Sequence, residues 1–136
     1  MTTDINRLVP VINLPYHQFL GVQNLRGEAG RGFLSITVNQ NNANPLGALH
    51  GGVIYSLCDV CAYAALLSIM EDENEAVTHD IHVSVLRSAR LGQKIDFEAE
   101  VVKKGRTLCF IDAAARVEGN VIAAARVTKS IVKRVL

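Results

Sequence analysis

The sequence of 136 residues contains no tryptophan, and its aromatic residues are limited to four Phe and three Tyr. These give no argument for a ligand that stacks on aromatic rings. The three cysteines are an odd number, and a chain of this length can fold without a disulfide scaffold. Residues 1–7 lack the charged and then apolar layout of a signal peptide. We therefore expect a soluble cytoplasmic protein with reduced thiols.

The chain also lacks a strong charge of either sign, because 14 Lys and Arg residues oppose 13 Asp and Glu residues. A net charge of +1 argues against a protein that grips nucleic acid along its whole surface, which needs a clear basic excess. The basic residues are unevenly placed, since Asp112 and Glu118 are the only acidic residues in 101–136. A local patch for a small polyanion therefore stays open.

Three catalytic fingerprints are missing from the sequence: the G-x-S-x-G nucleophile elbow, the P-loop and the dinucleotide-binding glycine pattern. Serine hydrolases and nucleotide-dependent enzymes are therefore not leading interpretations.

One apolar run, residues 53–70, is nearly long enough to span a bilayer. Asp59 lies within this run, where the centre of a membrane would penalise the carboxylate by about 2.5–3.5 kcal/mol. Neither flank is basic, and the run is followed by an acidic segment at 71–75. A helix that is apolar on every side is also typical of the buried centre of a globular fold. We predict such a buried helix and no membrane partner.

The patterns along the chain predict one domain over 1–136. The predicted elements are a short helix over 15–20 ended by Gly21, a strand over 30–39, a turn-rich loop over 40–47, a long helix over 51–70 with an exit loop over 71–75, and strands over 76–87, 94–103, 107–117 and 121–135. Hairpin turns are predicted at 104–106 and 118–120.

Short turns favour antiparallel neighbours, and a single apolar helix needs a sheet to cover it. We therefore predict an α+β fold in which a curled antiparallel β-sheet wraps around one long central helix. One sheet cannot bury a helix on all sides. We expect a second copy of the chain to cover the remaining face.

The block most informative about chemistry, 44–52, precedes and opens the predicted long helix. Consecutive glycines there let a ligand approach the backbone, and first-turn N–H groups without helical partners can stabilise an oxyanion. Asp59 lies about two turns further on, at about 3.6 residues per turn. A carboxylate among apolar residues tends to have a raised pKa and can act as a base or a nucleophile. Glycines required by packing and an Asp held by a structural hydrogen bond explain the same residues equally well.

The pattern Asn-x-x-Gly-x-Leu-His-Gly-Gly begins at Asn44, and Asp59 follows nine residues after His50. Together with the order of elements, this pattern resembles the hot-dog-fold acyl-CoA thioesterases, and within them the phenylacetic-acid-degradation (PaaI-like) branch. The likeness extends over about residues 30–133 and includes the segments 89–93 and 105–110.

The resemblance implies that Asp59 is the catalytic carboxylate, which either activates water or attacks the thioester carbonyl itself. It also implies that the backbone N–H of Gly51 polarises that carbonyl and that Asn44 and His50 position the thioester. Thr78 falls near the place where some relatives have a hydroxyl that orients the attacking water. No metal and no cofactor are implied.

The resemblance further implies a site built across a dimer interface, with Asp59 from one subunit and the loop that carries His50 and Gly51 from the other. Such dimers commonly pair again into tetramers. Coenzyme A carries several phosphate charges, which Arg or Lys would be expected to meet. The candidates lie near strand ends or turns and are Arg87, Arg90, Lys104 and Arg106. Solvated edge-strand charges that oppose aggregation explain each of them at least as well.

Other clusters point to chemistry less strongly. Cys58 and Cys61 form a C-x-x-C pattern in the middle of the apolar helix, where two small buried hydrophobic residues are the favoured interpretation over a redox pair. A zinc site that adds His79 and His82 is disfavoured, because their spacing turns them to opposite faces of a strand. His79, Asp80 and His82 have no role in the family pattern.

We therefore predict an enzyme that hydrolyses acyl-CoA thioesters to a free carboxylic acid and CoA. A non-catalytic acyl-CoA-binding hot-dog module is the alternative, since it would keep the cleft without needing Asp59. A hydratase or dehydratase on the same fold usually needs a His paired with an acidic residue, which this sequence does not clearly present.

Overall fold

The computed structural model describes residues 5–135. Outside the described part lie residues 1–4, which belong to the segment predicted not to be a signal peptide, and Leu136, the last residue of the predicted domain. The described elements are α1 (Ile5–Ile12), α2 (Pro15–Leu20), β1 (Gln23–Glu28), β2 (Arg31–Thr37), α3 (Gly51–Leu67), β3 (Asn74–Val85), β4 (Lys94–Lys104), β5 (Leu108–Val117) and β6 (Asn120–Lys133). None of these helices is long and apolar enough to cross a bilayer.

The six strands form one antiparallel sheet in the order β1-β2-β4-β5-β6-β3. Because β3 pairs with β6, the strand that follows α3 lies at one edge of the sheet, and β1 lies at the other edge. The curled sheet wraps around α3, and alternate strand residues on its inner face, among them Ile36, Phe97 and Ile111, are buried against the helix. The predicted α+β architecture of a curled sheet around a central helix is confirmed.

Gly32 on β2 sets how closely α3 approaches the sheet. A methyl group added at this position would overlap the carbonyl oxygen of Cys61 and lie 2.8 Å from the backbone nitrogen of Ala65. Only a residue without a side chain leaves room for the helix backbone here. This contact fixes the depth at which the small residues of α3, such as Ala62 and Ala65, are buried.

Two elements were absent from the sequence prediction. α1 contains Pro10, a residue that usually interrupts a helix, and the sequence pattern predicts no element over this span. β1 has the polar sequence QNLRGE, in which only Leu25 and Gly27 are buried. Because β1 is an edge strand, its exposed residues can be polar, and a period of two is hard to see over so short a segment.

The predicted element boundaries hold with small corrections. α2 ends at Gly21, whose φ of 82° closes the helix in the left-handed conformation. α3 ends at Leu67 rather than near residue 70, and β3 begins at Asn74, within the segment expected to be a loop. The turn between β5 and β6 has positive φ at both Glu118 and Gly119, which is the geometry of a type I′ hairpin.

One face of α3 is open in the single chain, as the prediction of a second copy requires. Tyr55 is 44% exposed, Gly52 is exposed, and the Asp59 side chain is 35% exposed. These positions recur at the spacing of one helix face, which the sheet covers only in part. Asp59 therefore points toward this open face. The sequence suggests a carboxylate enclosed among apolar residues, and the structure corrects this expectation.

Candidate active site

The N-terminus of α3 is capped by its own preceding histidine. The Nδ1 atom of His50 accepts a hydrogen bond of 2.9 Å from the backbone N–H of Gly52. In a neutral imidazole this acceptor role places the proton on Nε2, so the exposed side of the ring can donate a hydrogen bond. His50 thus shapes the helix start and keeps one donor available to a ligand.

Asn44 organises the loop that leads into α3. Its side-chain oxygen accepts hydrogen bonds from the backbone N–H groups of Leu46 at 2.9 Å and of Ala48 at 3.1 Å. Gly47 completes the turn with a φ of 76° and donates its N–H to the carbonyl of Asn44 at 3.0 Å. Because the oxygen is engaged by the loop, the amide nitrogen of Asn44 is the group that it can offer to a ligand.

Gly51 combines an available donor with open space. Its N–H is in the first turn of α3, where no intrahelical acceptor exists, while the neighbouring N–H of Gly52 is taken by His50. A methyl group added at Gly51 would meet nothing within 4 Å. A negatively charged or polarised oxygen could therefore reach this N–H at the positive end of the helix dipole.

Two turns into the helix, Asp59 is held by two side chains from the sheet. The Thr78 hydroxyl donates to Oδ1 at 2.8 Å and to Oδ2 at 3.0 Å, and the Lys129 ammonium donates to Oδ1 at 2.8 Å. The sequence prediction placed Thr78 near this site, and the structure brings the two side chains into contact. A β-bulge between Thr78 and Asp80 on β3, with His79 as its extra residue, lies directly beside the contact.

Lys129 is the residue that sequence reasoning missed. In the sequence it is one of the basic residues of 101–136, with no role predicted for it. In the structure its side chain is 3% exposed and is paired with Asp59. The available signal was its position on β6, two residues after the buried Val127 and therefore on the same face of the strand. A lysine on the inner face of a strand indicates a buried charge that needs a partner.

Tyr63 packs against the same ammonium group. Its ring centroid lies 5.6 Å from Nζ of Lys129, and its hydroxyl donates to Oε1 of Glu75 at 2.8 Å. Glu75 in turn forms an ion pair of 3.4 Å with Arg7 of α1. Burial and the hydrogen bond to Glu75 raise the pKa of Tyr63 to about 12. The hydroxyl therefore remains protonated and neutral at ordinary pH.

A single chain does not bring the helix N-terminus and the carboxylate to one point. Gly51 and Asp59 are separated by eight positions of α3, which is about 12 Å along the axis at about 1.5 Å per residue. A thioester carbonyl cannot contact both groups over that distance. The two halves of the predicted site therefore lie apart in one protomer.

The four basic candidates for phosphate binding are divided between the two ends of α3. Arg90 donates to the carbonyl of Leu46 at 3.2 Å, beside the loop that precedes the helix, and Arg87 follows β3 as an exposed residue. Lys104 contacts Glu71 at 3.2 Å beyond the other end of the helix, close to Arg106 in the next turn. The structure therefore offers two separate basic positions in each protomer rather than one patch.

The cysteine and histidine clusters do not form a site. Cys58 and Cys61 are fully buried, which confirms their interpretation as small core residues. Burial, with a further contribution from the charge of Asp59, raises the pKa of the Cys58 thiol to about 12, so it stays protonated. His79 and His82 are exposed on β3. Within residues 5–135, no three His, Cys, Asp or Glu side chains are grouped closely enough to hold a metal ion.

Comparison with known proteins identifies the family. The family model described as Thioesterase superfamily matches residues 46–124. Human Acyl-coenzyme A thioesterase 13 is 33% identical over 102 residues, which are 74% of this chain and 72% of that protein. Zebra fish Thioesterase Superfamily Member 2 has a TM-score of 0.82 at 27% identity, over 93% of this chain and 94% of that one. A hypothetical thioesterase from Streptococcus pneumoniae, solved with coenzyme A, shares the fold with a TM-score of 0.74 at 22% identity, over 83% and 85% of the two chains. The chain therefore belongs to the thioesterase superfamily and has the hot-dog fold.

Proposed function

We propose that this protein hydrolyses acyl-CoA thioesters to a free carboxylic acid and CoA, as a PaaI-like member of its family. The observation that carries the proposal is the carboxylate of Asp59, which lies on the open face of α3 in contact with Thr78 and Lys129. The name of the human relative and the coenzyme A in the streptococcal structure support this substrate class.

The proposed chemistry uses a carboxylate and an oxyanion donor without a catalytic triad, because a thioester is already activated. The N–H of Gly51 polarises the carbonyl, and the amide nitrogen of Asn44 and Nε2 of His50 position the thioester. In one route Asp59 takes a proton from water as the water oxygen bonds to the carbonyl carbon. The C–S bond then breaks, and the CoA thiolate leaves and is reprotonated. In the other route an oxygen of Asp59 attacks the carbon, the C–S bond breaks, and the CoA thiolate leaves and is protonated. Water then hydrolyses the resulting anhydride to the free acid and restores Asp59.

We further propose that each site is shared by two copies of the chain. The separation of about 12 Å between Gly51 and Asp59 in one copy supports this proposal, since an antiparallel second α3 can place its own N-terminus beside the first copy's Asp59. The open face of α3 and the edge strand β3, on which Val77 and Val85 are about half exposed, offer a surface for such pairing. The dimers are proposed to pair again into tetramers.

The shared site also gives the two basic positions a role. We propose that Arg87 and Arg90, near the loop before α3, and Lys104 and Arg106, beyond the far end of the helix, are candidates to meet the phosphates of CoA. All four residues are exposed, and Arg90 and Lys104 would exchange their contacts with Leu46 and Glu71 for a phosphate.

The decisive measurement is thiol release from a panel of aromatic, short branched and longer aliphatic acyl-CoAs. Wild type should release CoA from at least one of them, and Asp59→Asn should abolish turnover while binding is retained. Asp112→Asn is the matched control, because Asp112 is an exposed carboxylate of β5 paired with Arg126. Circular dichroism of all three proteins checks that the loss does not come from unfolding.

Two other outcomes have defined meanings. Tight binding of acyl-CoA without release of thiol from any member of the panel would replace this proposal with the non-catalytic binding module. If turnover occurs, a single turnover in ¹⁸O-labelled water combined with reductive trapping separates the two routes. Label in Asp59 indicates that the carboxylate attacks and that water then opens the anhydride at Asp59. If label enters the product acid alone, borohydride decides, because it reduces an anhydride at Asp59 to homoserine, whereas activation of water leaves Asp59 unchanged.

Sharing of the site is tested by mixing two inactive variants, Asp59→Asn and Asn44→Ala, under conditions that exchange subunits. Random pairing gives heterodimers in which one of the two sites has both residues intact, so about one quarter of the wild-type activity should return. Ultracentrifugation at micromolar concentration should show a dimer or a tetramer. A monomer, or mixtures that stay inactive although subunits exchange, would contradict the shared site.

A further inference from the structure

We propose that Lys129 is a positioning residue for the proposed hydrolysis, which fixes the carboxylate of Asp59 and the hydroxyl of Thr78 in one orientation. The inference rests on the proposed function, and it adds to it a residue outside the sequence pattern that carries the family resemblance. Its basis is the set of contacts around one buried ammonium group.

Burial requires the charge of Lys129 to have partners. The side chain is 3% exposed, and an ammonium removed from water is costly unless nearby groups replace its hydration. Two oxygens do so, Oδ1 of Asp59 at 2.8 Å and the hydroxyl oxygen of Thr78 at 3.0 Å. Both contacts are charge-assisted, the kind of hydrogen bond that holds its geometry most strongly.

The chemistry of the donors then fixes the direction of the remaining hydrogen bond. An ammonium group can only donate, so Thr78 must accept from Lys129. The single hydroxyl hydrogen of Thr78 is then turned away from Lys129 and toward the carboxylate of Asp59, at 2.8 and 3.0 Å from its two oxygens. Lys129 therefore orients Thr78, and Thr78 and Lys129 together orient Asp59.

This arrangement makes the two carboxylate oxygens unequal. Oδ1 accepts from both Thr78 and Lys129, while among residues 5–135 only the longer contact from Thr78 reaches Oδ2. The side chain of Asp59 is 35% exposed, so a water molecule or a thioester can approach it from the open face of α3. We assign Oδ2 as the oxygen that meets the reacting group.

A second set of contacts, which begins at Tyr63, also holds Lys129 in position. The ring of Tyr63 lies 5.6 Å from Nζ, and Tyr63 is tied through its hydroxyl to Glu75, which pairs with Arg7. The Arg7 side chain is 7% exposed and the Glu75 side chain is 33% exposed, so this chain of contacts begins at a buried residue of α1 and reaches the site through a partly exposed carboxylate. Lys129 is therefore fixed by the scaffold and does not depend on Asp59 alone for its placement.

The test compares Lys129→Met with Lys133→Met, which makes the same change at an exposed position of the same strand. Lys129→Met should lower kcat by about 10- to 100-fold, the effect of losing one charge-assisted contact. KM should change by less than about threefold, because Lys129 does not touch the substrate. Lys133→Met should be indistinguishable from wild type.

A double variant separates positioning from a general loss of structure. If Lys129 acts by orienting Asp59 and Thr78, then Lys129→Met combined with Thr78→Val should lower kcat by much less than the product of the two single losses, because both changes disturb the same contacts. A merely structural loss would multiply the effect of Thr78→Val. As a second measurement, propylammonium should restore part of the kcat of Lys129→Ala by entering the vacated space, and propanol of the same size should not.

Wild-type kcat in Lys129→Met, multiplicative losses in the double variant, or equal effects of propylammonium and propanol would each overturn the inference. If Lys129→Met does not fold, the rescue of Lys129→Ala decides, and its failure in a folded protein counts against the proposal. The proposed function fails separately, since it is lost only if wild type releases no thiol or if Asp59→Asn remains active.

Discussion

Gly51 is a backbone position that is open to a ligand. Its N–H lacks an acceptor in the helix, and the space where a side chain would be is open. By contrast, a methyl group at Gly52 would lie 3.1 Å from the ring of His50, so packing within the chain constrains that neighbour. The absence of a side chain therefore has a different effect at each of the two adjacent glycines: it leaves open space at Gly51 and makes room for the ring of His50 at Gly52.

We predict that Gly51→Ala separates activity from stability. The added methyl group occupies the space through which the thioester reaches the N–H, so kcat/KM should fall by at least about tenfold. The free energy of unfolding should be unchanged or should rise by up to about 1 kcal/mol, because Ala favours a helix over Gly. Thiol release and urea denaturation measure the two effects, and full activity in a folded Gly51→Ala would remove Gly51 from the site.

At the same scale, a residue pattern names the candidate site residues but not their surroundings. Asn44, His50, Gly51, Asp59 and Thr78 follow from a pattern in the sequence, and the structure brings Thr78 against Asp59. The ion pair between Asp59 and Lys129 joins residues 70 positions apart, and no local spacing reveals it. Its detection required the register that sets β6 beside β3.

At the scale of elements, the packing of α3 on the sheet depends on the absence of a side chain at Gly32. The helix backbone at Cys61 and Ala65 lies where a methyl group would be. The sequence gives little sign of this, because a glycine in a strand interior is equally compatible with a bulge or a bend.

We predict that Gly32→Ala destabilises the fold by about 1–3 kcal/mol, since overpacking forces the strand and the helix apart. Gly51→Ala is the matched control, because it adds the same methyl group in open space. Urea denaturation of both variants should show a lower midpoint for Gly32→Ala only. Equal midpoints would mean that the helix can shift without cost, and that the close contact does not set its depth.

The sequence predicted the elements with strong periodicity and missed those without it. β4 alternates Ile95, Phe97 and Ala99 with charged residues and was placed to within one residue. β1 and α1 were missed because an edge strand and a short helix containing Pro10 are stabilised by their neighbours rather than by their own patterns.

At the scale of the whole molecule, burial links several ionisable groups to the stability of the fold. The pKa of Cys58 rises from 9.0 to about 12 through burial and the nearby charge of Asp59. The pKa of Tyr63 rises from 10.0 to about 12 through burial and its bond to Glu75. Between pH 9 and 12 the unfolded chain therefore binds fewer protons at these groups than the folded chain does.

We predict that the free energy of unfolding is unaffected by these two groups below about pH 9 and falls as pH rises toward about 12. The sign follows because the unfolded state gains by releasing protons that the folded state retains. Cys58→Ala removes one of the two groups, so its stability should fall less steeply over that range. Urea denaturation at a series of pH values measures both slopes, and parallel slopes for wild type and Cys58→Ala would contradict the assignment.

The sequence by itself determined the central apolar helix, the antiparallel strands after it and the pattern around Asn44, His50 and Asp59. These features depend on periodicity, turn chemistry and residues close together in the chain, which are local properties. Only the tertiary structure decided that Asp59 faces an open side, that Lys129 is buried against it, and that Gly51 is about 12 Å away along α3 at about 1.5 Å per residue. Those facts depend on strand order, on register and on the faces left uncovered, because contacts between distant residues arise only when the sheet has closed around the helix.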